Sequence, residues 1–357
     1  MPEKPRLGQV LLKAIGFTVL FLGLFFFLSV TVLSFYLYKQ LDVFTTEAQT
    51  TWPELKQVIN AGLTTAVTQT KNHKNILLLG IDSIEGRGDV RPLTDTMTLL
   101  SINLETGKIV SLPFPRDLWS ETYQTKINAL YAYGIDRYPG RPEQFPTEAI
   151  TEMTNVPIHH TVVISLDQVS QLIDLLGGIK VNVETGFVDP QFPRPGVDVA
   201  IERDPEKLYM RVEFQPGEQI FTGEQALQFI RSRHSGDDEG DDVARARRQQ
   251  LVMASLLQTI THPRTLTNPK IVGSLYKWYR THFAETISVP EAIATVRMLL
   301  PVRRQIVFEG ASLGIYPDDP QGALEHPPVT AQYQNQWVYS IRNPNELPKV
   351  VGIKLGL

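Results

Sequence analysis

Cysteine is absent from the 357-residue chain, which excludes disulfides, thiolate metal sites and thiol nucleophiles together. A basic surplus is absent too: 34 Lys and Arg stand against 38 Asp and Glu, for a formal net charge of −4. Nucleic-acid-binding chains carry a basic footprint, so no nucleic acid is expected as a main partner. No phosphate loop of the GxxxxGK type, no HExxH and no GxSxG elbow occurs, and neither repeats nor low-complexity segments are found. Wholesale disorder is not the expectation, because apolar residues make up 42% of the chain. That is enough for one large or two modest domains with real cores.

Charge is missing altogether from residues 14–38, a run of 25 residues dominated by Leu, Phe and Val. At about 1.5 Å rise per residue it is long enough for a hydrocarbon core of about 30 Å. A secretory signal peptide would have a shorter apolar part and a small-residue cleavage site, and neither fits. Lys4, Arg6 and Lys13 precede the run, whereas Asp42 and Glu47 follow soon after Lys39. The positive-inside rule then places residues 1–13 in the cytoplasm as a tail and the bulk of the chain outside the membrane. Residues 39–72, polar and Thr-rich, read as a juxtamembrane helix or stalk.

The segment Asn75-Ile76-Leu77-Leu78-Leu79-Gly80-Ile81-Asp82 is a continuous apolar run closed by Gly and Asp, as expected of a central strand covered on both faces. Asp82 would lie beyond its carboxyl end, where open α/β sheets gather ligands. A loop carrying Glu85, Arg87, Asp89 and Arg91 leads to Thr94-Asp95-Thr96. Residues 97–104 and 109–114 read as strands joined by a Gly107 turn, the second running into Pro115-Arg116-Asp117. Lys126-Ile127-Asn128 comes next. A strand over 160–166, a helix over 167–176 stopped by Gly177-Gly178 and a strand over 179–183 make a βαβ crossover, hence an α/β sheet. Residues 184–217 form an irregular surface excursion with five prolines. After the Pro263 break the pattern predicts helices near 271–283 and 289–299 and a strand at 305–309, with no separate catalytic motif.

Lysine is lacking where positive charge is densest. Residues 231–250, RSRHSGDDEGDDVARARRQQ, hold five arginines around five acidic residues. An all-Arg set suits planar, bidentate binding of phosphate or carboxylate; the competing reading is a surface helix pair laced with salt bridges to Asp237, Asp238, Asp241 and Asp242. Thr222-Gly223-Glu224-Gln225 reads as a capping box, so Arg231 and Arg233 leave the end of a packed helix. Arg245, Arg248 and Gln249 share a helical face at i, i+3, i+4 spacing, with Arg247 turned away from them. Two arginine clusters face each other if the loop folds back.

Asp82 and Asp95 are the carboxylates best placed for a hard divalent cation, and magnesium commonly binds through one or two carboxylates plus phosphate oxygens. Magnesium with an arginine clamp is the arrangement that phosphoryl transfer needs. Taken singly, an Asp at a strand end is more often a cap or turn former. His159 and His160 are adjacent at the start of a strand and point to opposite faces, which suits structural roles. His234 reads as a solvated loop histidine.

Together, the single N-terminal span, residues 75–82, Thr94-Asp95-Thr96-Met97, Pro115-Arg116-Asp117, Lys126-Ile127-Asn128, Leu176-Gly177-Gly178-Ile179, Thr222-Gly223 with Ala226-Leu227, Arg231-x-Arg233 and Asp242-x-x-Arg245-x-x-Arg248-Gln249-Gln250 resemble the LytR-CpsA-Psr family of bacterial cell-wall enzymes. The match runs over about residues 73–260. The resemblance implies an α-β-α sandwich at 73–262 outside the membrane, with residues 263–357 as an α/β extension packed on it or completing it. It also implies a long hydrophobic pocket for a polyprenyl chain and a polar mouth for its pyrophosphate. The reaction implied is transfer of a phosphoglycosyl polymer from a polyprenyl-pyrophosphate carrier to peptidoglycan, with polyprenyl phosphate released. By motif match Asp82 and Asp95 are the magnesium-linked carboxylates, and Arg116, Arg231, Arg233, Arg245, Arg248, Lys126 and Gln249 bind the pyrophosphate. Catalysis falls to Asp82, Asp95, Arg116 and Arg231. Many members carry Arg two residues before the second aspartate, where this chain has Leu93. Either Arg91 reaches in or one phosphate contact is missing. A pyrophosphate hydrolase and a non-catalytic lipid-binding or regulatory protein are the alternatives.

Overall fold

The computed structural model describes residues 7–81, 91–194, 197, 202–235, 240 and 242–357. Helix α1 (Leu7–Glu47) contains one stretch, Phe17–Glu47, long and apolar enough to cross a membrane, with mean hydropathy 2.3 and no part of it buried. Its C-terminal turns continue past the apolar run. α2 (Trp52–Thr64) follows, started by a capping box in which Thr51 and Glu54 satisfy each other's backbone donors. The expected stalk is therefore two helices.

Three antiparallel strands come next: β1 (His73–Ile81), β2 (Thr94–Asn103) and β3 (Lys108–Phe114). A short hairpin of β4 (Trp119–Ser120) and β5 (Thr125–Lys126) leads to α3 (Leu130–Arg137), α4 (Gln144–Thr154) and β6 (His160–Ser165), which lies parallel to β1. Helix α5 (Leu166–Leu175) starts at once, capped by Ser165 and Gln168. β7 (Ile179–Val183), β8 (Phe187–Pro193), α6 (Pro205–Leu208), β9 (Tyr209–Phe214) and β10 (Gly217–Phe221) build a lobe beside it. There follow α7 (Gly223–Arg231), α8 (Asp242–Thr261), α9 (Pro263–Leu266), α10 (Pro269–His282) and α11 (Val289–Leu299). The last segment contributes β11 (Val307–Gly310), β12 (Ile315–Tyr316), β13 (Leu324–Glu325), β14 (Ser340–Ile341) and α12 (Leu347–Leu355). The result is an α-β-α sandwich around a mixed sheet ordered β11-β3-β2-β1-β6, preceded by one apolar helix.

The two faces of this sheet differ. Leu77, Leu79, Met97, Leu99 and Leu112 are all but fully buried in a core closed by α4 and α12. On the opposite face Ile76, Leu78, Leu100, Val162 and Ile164 are only half-buried and belong to neither of the two large packed cores. The continuous apolar run of β1 thus has one packed face and one apolar face that is incompletely covered.

The expected βαβ crossover is not formed. β7 leaves the main sheet and pairs antiparallel with β10. Gly177 and Gly178, with φ of +80° and +99°, turn the chain away after α5. β7 alternates buried Ile179, Val181 and Val183 with exposed Lys180 and Asn182, the pattern of a ribbon with one wet face rather than of a central parallel strand. The final segment supplies the fifth strand instead, with β11 parallel to β3.

At the end of the sheet where β1 begins, Lys74 is 1% exposed and its Nζ lies 2.5 Å from Glu291 Oε1. His160 Nε2 reaches the same oxygen at 2.8 Å, and His159 Nδ1 accepts the Asn75 N–H at 2.8 Å. Both histidines are structural, as their position at a strand start implies.

Candidate active site

β1, β3, β6 and β11 run one way and β2 the other, so four carboxyl ends and the start of β2 meet at one edge. Ligand sites of α/β sheets gather at such an edge. A cavity of about 210 Å³ opens there. Its apolar floor includes Met97, Phe114, Leu313, Ile315, Leu324 and Tyr339, and its polar side Asp95, Arg116, Arg245, Arg247 and Gln249.

Arg116 is held at the mouth by Asp95, whose Oδ1 accepts from its Nη1. Its Nε is buried without a hydrogen-bond partner, 3.7 Å from Asp117 Oδ2. A buried donor left unmade is uncommon in a settled core and fits a group that completes its bonding with a ligand. Backbone bonds fix the loop: Leu118 N donates to Pro115 O at 3.0 Å and Asn128 N to Arg116 O at 3.3 Å. The buried Thr94 hydroxyl donates to Asn128 O at 3.1 Å, tying the start of β2 to the 126–128 segment.

The other expected site residues are distributed as follows. Asp82 lies outside the described residues, as do Glu85, Arg87, Asp89, Asp237, Asp238 and Asp241; its neighbour Ile81 pairs with Thr94. Lys126 does not line the cavity; its Nζ contacts Asp117 Oδ1 at 2.6 Å. Arg245, 9% exposed, and Gln249 both line it. Arg231 lies with its guanidinium 5.8 Å from the Phe192 ring centre, and Arg233 is exposed.

Arg248 is turned away from the cavity. It is 2% exposed, donates from Nε to Phe229 O at 2.8 Å and from Nη2 to Ser232 O at 2.6 Å, and stacks 4.7 Å over the Phe187 ring. These bonds fold α8 back onto the end of α7. Arg247, which spacing sets apart from its neighbours, lines this cavity and a smaller one of about 60 Å³ beside Glu184 and Arg248. Arg91 does not fill the place of an Arg at Leu93: its Nη1 is 2.5 Å from Asp136 Oδ2 on α3, and Leu93 is exposed.

Two parts of the site had no sequence signal. Asp189, fully buried on β8 in the segment expected to be an irregular surface excursion but in fact a β8–β9 ribbon with buried Phe187, Phe192 and Phe214, accepts the backbone N–H of Arg233 at 3.0 Å and of Gln191 at 2.9 Å, which sets the course of the chain after α7. The second is the wall at 311–315, 324 and 339, from the last third, where no catalytic motif is found. Gln250 ties it to the sheet, its Nε2 bridging Ser111 O at 3.4 Å and Ala311 O at 3.0 Å.

Fold and site together define an α/β protein that carries one N-terminal helix long and apolar enough to cross a membrane and whose cavity pairs an arginine-rich mouth with an apolar floor. The family model described as the LytR_cpsA_psr family matches residues 35–298, and the chain belongs to that family. Polyisoprenyl-teichoic acid–peptidoglycan teichoic acid transferase TagU of Oceanobacillus iheyensis is 32% identical over 189 residues, 52% of this chain and 51% of its own. The chain thus spans about half the length of that curated relative. Among solved structures, TagV of B. subtilis gives a TM-score of 0.52 at 20% identity, over 81% of this chain and 99% of that one. The LytR-CPS2A-psr family protein YwtF (TagT) with bound octaprenyl pyrophosphate lipid gives 0.50 at 18%, over 82% and 95%. Both share the fold.

Proposed function

We propose that the chain is a membrane-anchored phosphotransferase, its N-terminus cytoplasmic and its sheet domain outside. It moves a phosphoglycosyl polymer from a polyprenyl-pyrophosphate carrier to a peptidoglycan hydroxyl. The observation that carries this reading is the cavity itself, which brings Asp95, Arg116, Arg245 and Gln249 from three separate segments to the sheet edge beside apolar side chains. A pyrophosphate needs fixed cations and a prenyl chain needs apolar surface, of which the half-buried strip of Leu78, Leu100 and Val162 offers more on the other face of the sheet.

The acceptor oxygen attacks the phosphorus that bears the glycan, the bond from that phosphorus to the lipid phosphate oxygen breaks, and polyprenyl phosphate leaves. Arg116 and Arg245 hold the phosphate oxygens and stabilise the charge that builds up there. The proton of the acceptor passes to a carboxylate, Asp95 or Asp82. Among the described residues no group of three or more His, Asp or Glu forms a metal cage. Magnesium does not need one, since it binds through one or two carboxylates plus phosphates. Asp95 fits, being 43% exposed at the cavity with only one oxygen taken by Arg116. With Asp82 it would hold the ion, which supplies charge neutralisation between the two phosphates.

The test incubates the detergent-solubilised chain with a polyprenyl-pyrophosphate glycan and peptidoglycan fragments, with and without magnesium. Glycan on peptidoglycan together with polyprenyl phosphate, both dependent on magnesium, is expected. Lipid cleavage without attachment would make the protein a hydrolase, and tight binding without turnover would make it a regulator.

A further inference from the structure

An aromatic and amide surface lies one ring away from the cavity, beyond the segment that the family model matches. Tyr339 lines the cavity; the Trp337 ring meets it edge-on at 4.7 Å, and the His326 ring lies 4.6 Å from Trp337 and 6.4 Å from Tyr339, so the three rings form one cluster. Trp337 is nevertheless 41% exposed. The chain before it, Gln332 to Gln336, carries three glutamines, one tyrosine and one asparagine, and no charge falls between Gln332 and Tyr339.

This surface is rigid. Gln334 and Asn335 take left-handed conformations with φ of 53° and 57°. Gln336 N donates to Tyr333 O at 2.9 Å, and Gln334 Nε2 donates to Gln124 O at 2.9 Å. His326 Nδ1 donates to Val338 O at 2.8 Å, which fixes its ring. Tyr339 is bonded at both backbone groups to the loop that carries Arg116: its N–H donates to Asp117 O at 3.0 Å, and its carbonyl accepts from Trp119 N at 2.8 Å. The platform therefore cannot shift without moving the cavity mouth.

We propose that Trp337 and the 332–336 amides form a subsite for an uncharged pyranose. The exposed part of the Trp337 ring offers aromatic surface to the C–H face of a sugar, and amides supply donors and acceptors together for its hydroxyl and N-acetyl groups. No Lys or Arg falls between Gln332 and Tyr339 to hold a phosphate or an anionic lipid. A preformed site loses little entropy on binding. The proposal rests on the transferase reading only for the source of the sugar, either the glycan on the carrier or that of the acceptor.

The full chain in detergent is titrated with a tetramer of N-acetylglucosamine, with polyprenyl pyrophosphate bearing or lacking its glycan, and with inorganic pyrophosphate. Trp337→Ala weakens the tetramer or the glycan-bearing carrier about tenfold, and the arm affected identifies the source of the sugar. Trp337→Phe restores most of the affinity, and inorganic pyrophosphate binds all three proteins equally. Asn335→Ala, whose side chain packs into no core, shows a smaller loss in the same arm and guards against a folding defect in Trp337→Ala. Absence of glycan binding in the wild type, or glycan binding that survives both substitutions, overturns the subsite. A Trp337→Ala protein that loses only binding to phosphatidylcholine vesicles overturns it too, and makes the surface a membrane contact. A wild type that binds the tetramer through Trp337 but no pyrophosphate upholds the subsite and overturns the reading of the cavity.

Discussion

Arg116 reaches across the cavity mouth from the end of β3 to donate to Asp95 at the start of β2, so one of the site's arginines and its one described candidate metal-binding carboxylate restrain each other. This pairing fixes the guanidinium before substrate arrives and leaves its buried Nε for a ligand oxygen. Arg116→Ala is expected to lower turnover by about 10²–10³, the usual effect of losing one preorganised stabilising donor. Arg116→Lys does not restore it, because a point charge cannot reproduce the planar fork. Near-normal turnover in either variant, measured as polyprenyl phosphate released, removes Arg116 from the chemistry.

Arg231 and Arg248 separate into different roles. Arg248 satisfies two carbonyls of the α7 end while buried against Phe187 and Phe229. Truncating it leaves those acceptors unpaired, at about 1–3 kcal/mol each. Arg248→Ala should therefore show a clearly lowered melting temperature along with lost activity. If Arg231 binds the pyrophosphate, Arg231→Ala should lose turnover with a smaller fall in melting temperature than Arg248→Ala, because Arg231 is only half-buried. Equal thermal stability for the two would contradict the division.

Leu78 lies on the incompletely covered face of the sheet and pairs with Thr98 on β2. If prenyl carbons occupy that face, Leu78→Trp fills their space. The expected outcome is at least tenfold weaker binding of polyprenyl pyrophosphate with unchanged affinity for inorganic pyrophosphate. An equal loss for both ligands would show that the substitution disturbs the mouth instead.

These residues also show how much the sequence could tell. The capping and alternation signals located several elements closely: α11 spans the predicted 289–299, and the Thr222–Gln225 capping box is present with both of its hydrogen bonds. They missed β8 and β9, which stand where an irregular surface excursion was expected. That Asp95, Arg116, Arg245 and Gln249 come together at one cavity was legible because their spacing is local and their neighbours are motif-like. The burial of Arg248 was not, because an arginine stacked on buried phenylalanines has the same spacing as one that faces a phosphate. β7 was misplaced because strand, helix, strand in order does not fix which sheet receives the second strand, although its alternating polarity argued for a ribbon. The Tyr339 wall depends on pairing between residues more than two hundred positions apart, which no local pattern encodes.

Glu291 joins Lys74 and His160 beneath the sheet. Burial alone would raise its carboxyl pKa, but hydrogen bonds from Lys74 and His160 outweigh burial and hold it down at about 2. A carboxyl depressed in the folded state adds stability that is complete above its ordinary value of 4.5 and is lost as pH falls toward about 2. Thermal melts of the wild type should therefore lose stability across that window. Glu291→Gln should flatten the dependence and cost about 3–5 kcal/mol near neutral pH, because the Lys74 ammonium stays buried without its partner. A parallel pH dependence in the variant would assign the effect to other carboxylates.

Gly273 determines how α1 meets the rest of the molecule. A Cβ at this position of α10 would lie 2.7 Å from Phe44 O in the last turn of α1 and 3.2 Å from Ala48 N just past its end, so any side chain here forces the two segments apart. The contact is reinforced by Ser274 Oγ to Glu47 Oε2 at 3.3 Å, Arg280 Nη2 to Gln49 O at 3.0 Å and the Phe44 and Tyr276 rings at 6.0 Å. Under the proposed membrane-anchored function, a docked α1 would hold the cavity at a set height above the bilayer, whereas a loose tether would let it wander. Gly273→Leu should therefore reduce turnover of a long-chain carrier embedded in vesicles while sparing a short-chain carrier dissolved in detergent, since only the former depends on that height. Limited proteolysis within residues 39–72 should accelerate in the same variant. Equal losses on both carriers would place Gly273 in folding rather than in docking, and unchanged proteolysis would show that the helices stay in contact despite the added side chain.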